Sequence, residues 1–130
     1  MKYLLDSNAV IALFKGNAGI VRHVMQLQTW EVGLSAIVLH ELYFGASKSD
    51  RAEANLTRID RLEFERLDYT EQDALVAGDL RAALAAKGTP IGPYDTLIAG
   101  QALARDLTVV THNTREFQRV PGLRVEDWQT

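Results

Sequence analysis

Apolar and polar residues alternate along this chain in two rhythms, one of period two and one of period close to 3.6, and the exchange between them predicts its elements. Lys2-Tyr3-Leu4-Leu5 is a short apolar run that ends at Asp6, and residues 7–15 then carry a helical pattern stopped by Gly16, so the chain opens strand, turn, helix. Ile20, Val24 and Leu27, spaced by four and three, mark a second helix, and Glu31-Val32-Gly33-Leu34 reads as a brief strand. Ser35 suits the N-cap of a third helix running to about Ala46, and Ala52, Leu56 and Ile59 stripe a fourth. Phe64-Glu65-Arg66-Leu67 alternates as a strand does. Thr70 with Asp73 forms a capping-box pattern that opens a helix closing at Lys87-Gly88. After the breaker-rich segment 88–93, Pro93 suits the first turn of a helix holding Ile98, Ala102 and Leu103, and Leu107-Thr108-Val109-Val110-Thr111 is the clearest strand.

Short strands separated by helices, with no hairpin turn between any two, predict an α/β fold with a central, mainly parallel sheet flanked by helices. The 130 residues suit a single domain over the full span 1–130, and 47% hydrophobic with 24% charged residues is ordinary for a globular chain. The longest apolar stretch, residues 9–14, is far short of the roughly 18 residues that span a bilayer, so no membrane role and a cytoplasmic location are expected. The chain has no cysteine, which excludes disulfides, thiolate zinc sites and cysteine nucleophiles. A net charge of −3 argues mildly against a broad basic nucleic-acid face, although a bound divalent cation would reverse the sign of an acidic pocket.

Ligands of open parallel sheets bind beyond the carboxyl ends of the strands, and Asp6 and Asn113 follow two of them. An aspartate between strand and helix is also a natural N-cap. Glu41 has Ile37, Val38 and Leu42 around it on its helix, and Asp95 has Ile98 and Ala99, so both carboxylates are expected among core-facing positions. Their bland readings are an ion pair for Glu41 and a first-turn acid favoured by the helix dipole for Asp95. Inward-facing acids repel one another, and a hard divalent cation would relieve that repulsion. His40-Glu41 begins like a zinc-protease motif, but Phe44 stands where the second histidine belongs.

Four segments together resemble the PIN-domain toxins of the VapC type. They are Leu4-Leu5-Asp6-Ser7-Asn8, the stretch from Ser35 to Ala46 around Glu41, the stretch from Gly88 to Gly100 around Asp95, and Val109-Val110-Thr111-His112-Asn113-Thr114-Arg115-Glu116-Phe117. The resemblance implies a PIN-like three-layer fold and cleavage of RNA, transfer RNA among the candidates, with Mg²⁺ or Mn²⁺ as cofactor. It further implies the toxin half of a type II toxin–antitoxin pair, restrained by a VapB-type antitoxin, and a homodimer. Carried over by position, Asp6, Glu41 and Asp95 would bind the metal. Asn113 replaces the acid that many such domains carry, keeps an oxygen ligand, and is assigned a water-mediated role with Glu116 as a supporting carboxylate. Ser7 would orient Asp6 or a water, or share in helix capping; Arg115 and Arg119 would meet RNA phosphates, or form a solvated charged face. Helices bearing Ile20, Val24, Ile37 and Phe44 are candidates for dimer or antitoxin contact, and Trp30 and Trp128 are expected to be packing residues. The competing function is a PIN-like RNA- or protein-binding regulatory module that has lost catalysis, and Asn113 is the position that points to it.

Overall fold

The computed structural model describes residues 1–129. Strands β1 (Tyr3–Leu5), β2 (Val32–Ser35), β3 (Glu65–Leu67), β4 (Thr108–Val110) and β5 (Val125–Glu126) form one sheet in the order β3-β2-β1-β4-β5. Every neighbouring pair is parallel, and Leu4 at the centre lies opposite Gly33 of β2 and Val109 of β4. Successive strand residues point to opposite faces. Leu4 and Leu5, and likewise Val109 and Val110, are consecutive and all buried, so both faces of the sheet are covered. The expected three-layer α/β architecture is the one observed.

The covering helices are α1 (Ser7–Phe14), α2 (Ala18–Met25), α3 (Ala36–Ser47), α4 (Ala52–Asp60), α5 (Glu71–Ala86), α6 (Pro93–Arg105) and the single turn α7 (Thr114–Phe117). Their ends follow local chemistry. Ser35 Oγ accepts from the Ile37 amide at the start of α3, and Thr70 and Asp73 exchange the reciprocal bonds of a capping box at the start of α5. Gly88 ends α5 at φ +70°, a conformation a side chain would strain. Helices α5 and α6 make the most extensive helix pair, and Gly100 permits it: a Cβ there would lie 2.5 Å from the Cα and Cβ of Ala77.

The structure departs from the sequence reading in four places. A 3₁₀ turn (Thr29–Glu31) occupies what was read as the start of β2, held by the Gln28 amide donating to Glu31 Oε2 at 2.9 Å. Trp30 rides on that turn outside the layers and is 63% exposed, whereas Trp128 is 2% exposed, with its ring against Tyr3 and His23 and its indole N–H on Glu126. Ile20 is fully buried and belongs to the core, leaving Phe44 exposed. Strand β5 and helix α7 carry too few residues for a periodic signal.

Candidate active site

From β1 the sheet grows one way through β2 and β3 and the other way through β4 and β5, so the strand order reverses between β1 and β4. Such a reversal leaves a crevice at the carboxyl ends of the two central strands. Asp6 leaves β1 at this point, and Thr111 to Asn113 leave β4. The third turn region is supplied by α3, which starts directly from β2 and carries Glu41, and the fourth by the first turn of α6, which carries Asp95.

Asp6 is only 3% exposed. Its Oδ1 accepts the Ala9 amide at 2.8 Å, capping α1, and its Oδ2 accepts the Thr111 hydroxyl at 2.5 Å. The capping and site readings of Asp6 therefore hold together, one per oxygen. Burial raises its pKa above the ordinary carboxylate value, the bonds from Thr111 and Ala9 oppose that, and the charges of Glu41 and Asp127 add to the rise. Glu41 is half-buried, and Ser7 Oγ donates to its Oε1 at 2.6 Å. Ser7 thus orients Glu41, where the sequence had it serving Asp6 or a water.

Asp95 is pushed up to about 7, first by burial, then by its hydrogen bond with Glu116 and the charges of Glu116, Asp6 and Glu41. Glu116 is shifted the opposite way. Burial would raise it, but the Gly92 amide, the Asn113 side-chain amide at 2.6 Å, the bond with Asp95 and the charge of Arg119 hold it below its ordinary value. Asn113 accordingly acts through Glu116: its Nδ2 fixes that carboxylate, while its backbone amide donates to Thr111 Oγ1 at 2.9 Å. Thr111, which the sequence offered only as a strand residue, links Asp6 to Asn113. The signal available for it was a hydroxyl residue one position past a strand, adjacent to a polar pair.

Four carboxylates thus gather at the switch point. Among the described residues the ion pairs are Lys2–Glu31, Arg105–Asp73, His112–Asp127 and Arg124–Asp106, and none engages Asp6, Glu41, Asp95 or Glu116. Asp73 is the instructive contrast. It is as buried as Asp6, yet Arg105 at 2.9 Å, the Thr70 amide and Gln101 overcome the burial and hold it at about 2. A buried acid with its own cation is structural; none of the switch-point acids is in such an ion pair, and only Glu116 feels a nearby cation, that of Arg119. Arg115 and Arg119 are both exposed beside the cluster, and Arg119 donates to the Pro90 carbonyl at 3.0 Å.

The order of support among the acids is reversed by the structure. Glu41 and Asp95, which the apolar periodicity marks most strongly, are half-buried, and Asp6, placed only by its strand end, is the deepest. Helix periodicity reports which face a residue occupies, whereas depth is set by where the helix lies against the sheet.

The donors at the site are all oxygens, a set suited to a hard divalent cation. Among the described residues no three histidine, aspartate or glutamate side chains are placed so that they could together hold a metal ion. Mg²⁺ needs no such trio, since it keeps several waters and is held by one or two carboxylates. His23 stacks on Trp128, His40 lies beside Tyr94 and His112 on Asp127, in three separate places. Two clefts flank Glu41: one of about 320 Å³ whose walls include Ile11, Phe14, Leu42, Arg58 and Ile59, and one of about 430 Å³ lined by His40, Phe44 and Tyr94.

Comparison with known proteins places this geometry. A family model described as PIN domain matches residues 3–123. The chain is 46% identical to the "tRNA(fMet)-specific endonuclease VapC" of Salmonella typhimurium over 130 residues, covering 98% of each chain. Among solved structures, it superposes on DNA-bound VapBC from Salmonella typhimurium with a TM-score of 0.91 at 44% identity, over 98% of both chains. On the promoter-DNA-bound VapBC2 of Rickettsia felis the TM-score is 0.89 at 35% identity, over 98% of this chain and 99% of that one. With its strand order, its switch-point acids and these full-length likenesses, the chain belongs to the PIN-domain family, in its VapC-type ribonuclease branch.

Proposed function

We propose that this protein is a Mg²⁺-dependent endoribonuclease and the toxin half of a type II toxin–antitoxin pair, with transfer RNA as its substrate class. The observation that carries the reading is the cluster of Asp6, Glu41, Asp95 and Glu116 at the switch point, paired with no cation of the protein. Asp6, Glu41 and Asp95 would hold the metal, one or two of them directly and the rest through its waters, Mn²⁺ being an alternative ion. When bound, a divalent ion lowers the pKa of a coordinated water and neutralises a phosphodiester. Ser7 fixes the Glu41 carboxylate, Thr111 fixes that of Asp6, and Asn113 with the Gly92 amide fixes Glu116. The proton held between Asp95 and Glu116 would leave as the ion enters, since metal ligands must be deprotonated. Arg115 and Arg119, both exposed, would meet RNA phosphates.

Asn113 does not favour the non-catalytic alternative, because its Nδ2 holds the Glu116 carboxylate at 2.6 Å, so that a carboxylate stands beside it. The name of the Salmonella typhimurium relative supports a tRNA(fMet) substrate. The neighbouring VapBC structures support a VapB-type antitoxin, whose segment would lie along the cleft of Ile11, Phe14, Leu42 and Ile59 with a basic residue directed at the acids. Homodimerisation is proposed on the same family grounds.

The test is to incubate antitoxin-free protein with total bacterial RNA and with tRNA(fMet), in Mg²⁺ or in EDTA, beside Asp6→Asn. We expect discrete metal-dependent cuts and a loss of about 100-fold or more in the variant. Absence of metal-dependent cleavage, or equal cleavage by Asp6→Asn, overturns the nuclease reading. Growth arrest on expression, relieved by co-expression of the adjacent gene, tests the toxin role, and unchanged growth refutes it.

A further inference from the structure

Glu41 also lines the cleft of about 430 Å³ formed with His40, Phe44 and Tyr94, within the size range of roughly 300–1,000 Å³ in which ligands bind. His40 and Phe44 are one helical turn apart on α3, and Tyr94 is the second residue of α6. The core takes Val38, Leu42 and Ala46 from α3, so the fold makes no demand for an aromatic residue at position 44. Phe44 is nonetheless 61% exposed and Tyr94 45% exposed. The His40 and Tyr94 rings stand 5.6 Å apart, tilted by 51°, and Lys48 holds its ammonium 4.8 Å over the Phe44 ring.

We propose that His40, Phe44 and Tyr94 form a stacking platform for one unpaired nucleobase of the RNA, the base adjoining the phosphate held at the acids. The proposal rests on the ribonuclease reading above and adds to it a binding subsite. Two observations select a base over a protein side chain as the occupant. The cleft is continuous with the acid cluster through Glu41, which lines it while bonding Ser7 at 2.6 Å, so whatever fills it adjoins the site. Its walls also include three aromatic rings, and Lys48 stands over one of them, that of Phe44. That combination suits a flat π-system attached to a phosphate, because every base offers a π-face and the cation meets the backbone charge. A paired base is already stacked on its neighbours and would have to be unstacked first. The platform therefore makes the enzyme select unpaired positions, such as those of a loop, without reading a particular sequence.

The experiment uses the full chain, with RNA hairpins carrying 2-aminopurine at successive loop and stem positions. Binding is followed in the Asp6→Asn background and cleavage in the wild-type background, each with Phe44→Leu, Tyr94→Leu and the aromatic control Tyr94→Phe. We expect 2-aminopurine to be quenched on binding at one loop position. The two leucine variants should abolish that quench and raise KM about ten-fold, with kcat little changed, and Tyr94→Phe should restore both. If wild type cleaves but the leucine variants keep the same quench and KM, the platform is wrong while the nuclease reading stands. If wild type cuts nothing, the nuclease reading fails, and the quench alone decides whether RNA binds this cleft. Should the leucine variants instead shift the sedimentation coefficient or antitoxin affinity while RNA binding is unaltered, the face belongs to a protein partner and the proposal is overturned.

Discussion

Thr111 donates its hydroxyl proton to one oxygen of Asp6 and accepts the Asn113 amide, so one side chain ties the ends of the two central strands together at the carboxylates. Replacing it by valine keeps the shape and removes the donor. We expect Thr111→Val to raise the Asp6 pKa further and weaken apparent Mg²⁺ affinity by about 10- to 100-fold, the usual cost of losing a partner that orients a ligand; a Mg²⁺ titration of cleavage rate measures it. The raised pKa of Asp95 has a signed consequence for the metal-free protein. An acid held near 7 when folded and near 3.8 when unfolded contributes stability that is complete below 3.8 and is lost as pH rises through 7. Glu116, shifted the other way, contributes stability above its ordinary value that is lost in acid. In EDTA the melting temperature should therefore fall between about pH 4 and pH 7, and Asp95→Asn should flatten that fall. An unchanged pH profile in the variant would locate the proton elsewhere.

At the scale of elements, the seam between α5 and α6 sets where Asp95 stands, because α6 delivers it from its first turn. Two features hold the seam: the close approach at Gly100 and the buried contact of Asp73 with Arg105 and Gln101. Gly100→Ala places a methyl group where Ala77 already is, and we expect a destabilisation of about 1–3 kcal/mol by chemical denaturation, with kcat reduced as Asp95 is displaced. Arg105→Met leaves the Asp73 carboxylate buried without its cation and should cost about 3–5 kcal/mol. Since Arg105 is remote in role from the acids, its loss should lower the denaturation midpoint while leaving the Mg²⁺ requirement of the surviving activity unchanged. These helices were legible in the sequence from their caps and stripes; the contact between them was not, because a glycine in a helix and an acid in a capping box look alike whether they face a neighbour or water.

For the molecule as a whole, a chain of net charge −3 brings four carboxylates that take part in none of the described ion pairs to one end of its sheet, and a ligand that binds only the folded state stabilises it by mass action. Millimolar Mg²⁺ should raise the melting temperature of the wild type and leave that of Asp6→Asn nearly unmoved; calorimetry decides it. The sequence by itself determined the order of strands and helices from β1 to β4, since period, caps and breakers are local properties of neighbouring residues. It also determined that Asp6, Glu41 and Asp95 belong together, through strand-end position, helix face and the resemblance of four segments. Tertiary structure alone decided their depth, placing Asp6 deepest, turned Ser7 toward Glu41, set Thr111 on Asp6, and placed the Asn113 side chain on the Glu116 carboxylate. It also separated Trp128 in the core from Trp30 on the surface. The reason is the same in each case: burial and hydrogen-bond partners are settled between segments far apart in the chain, and Thr111 reaches Asp6 across 105 residues that no local pattern spans.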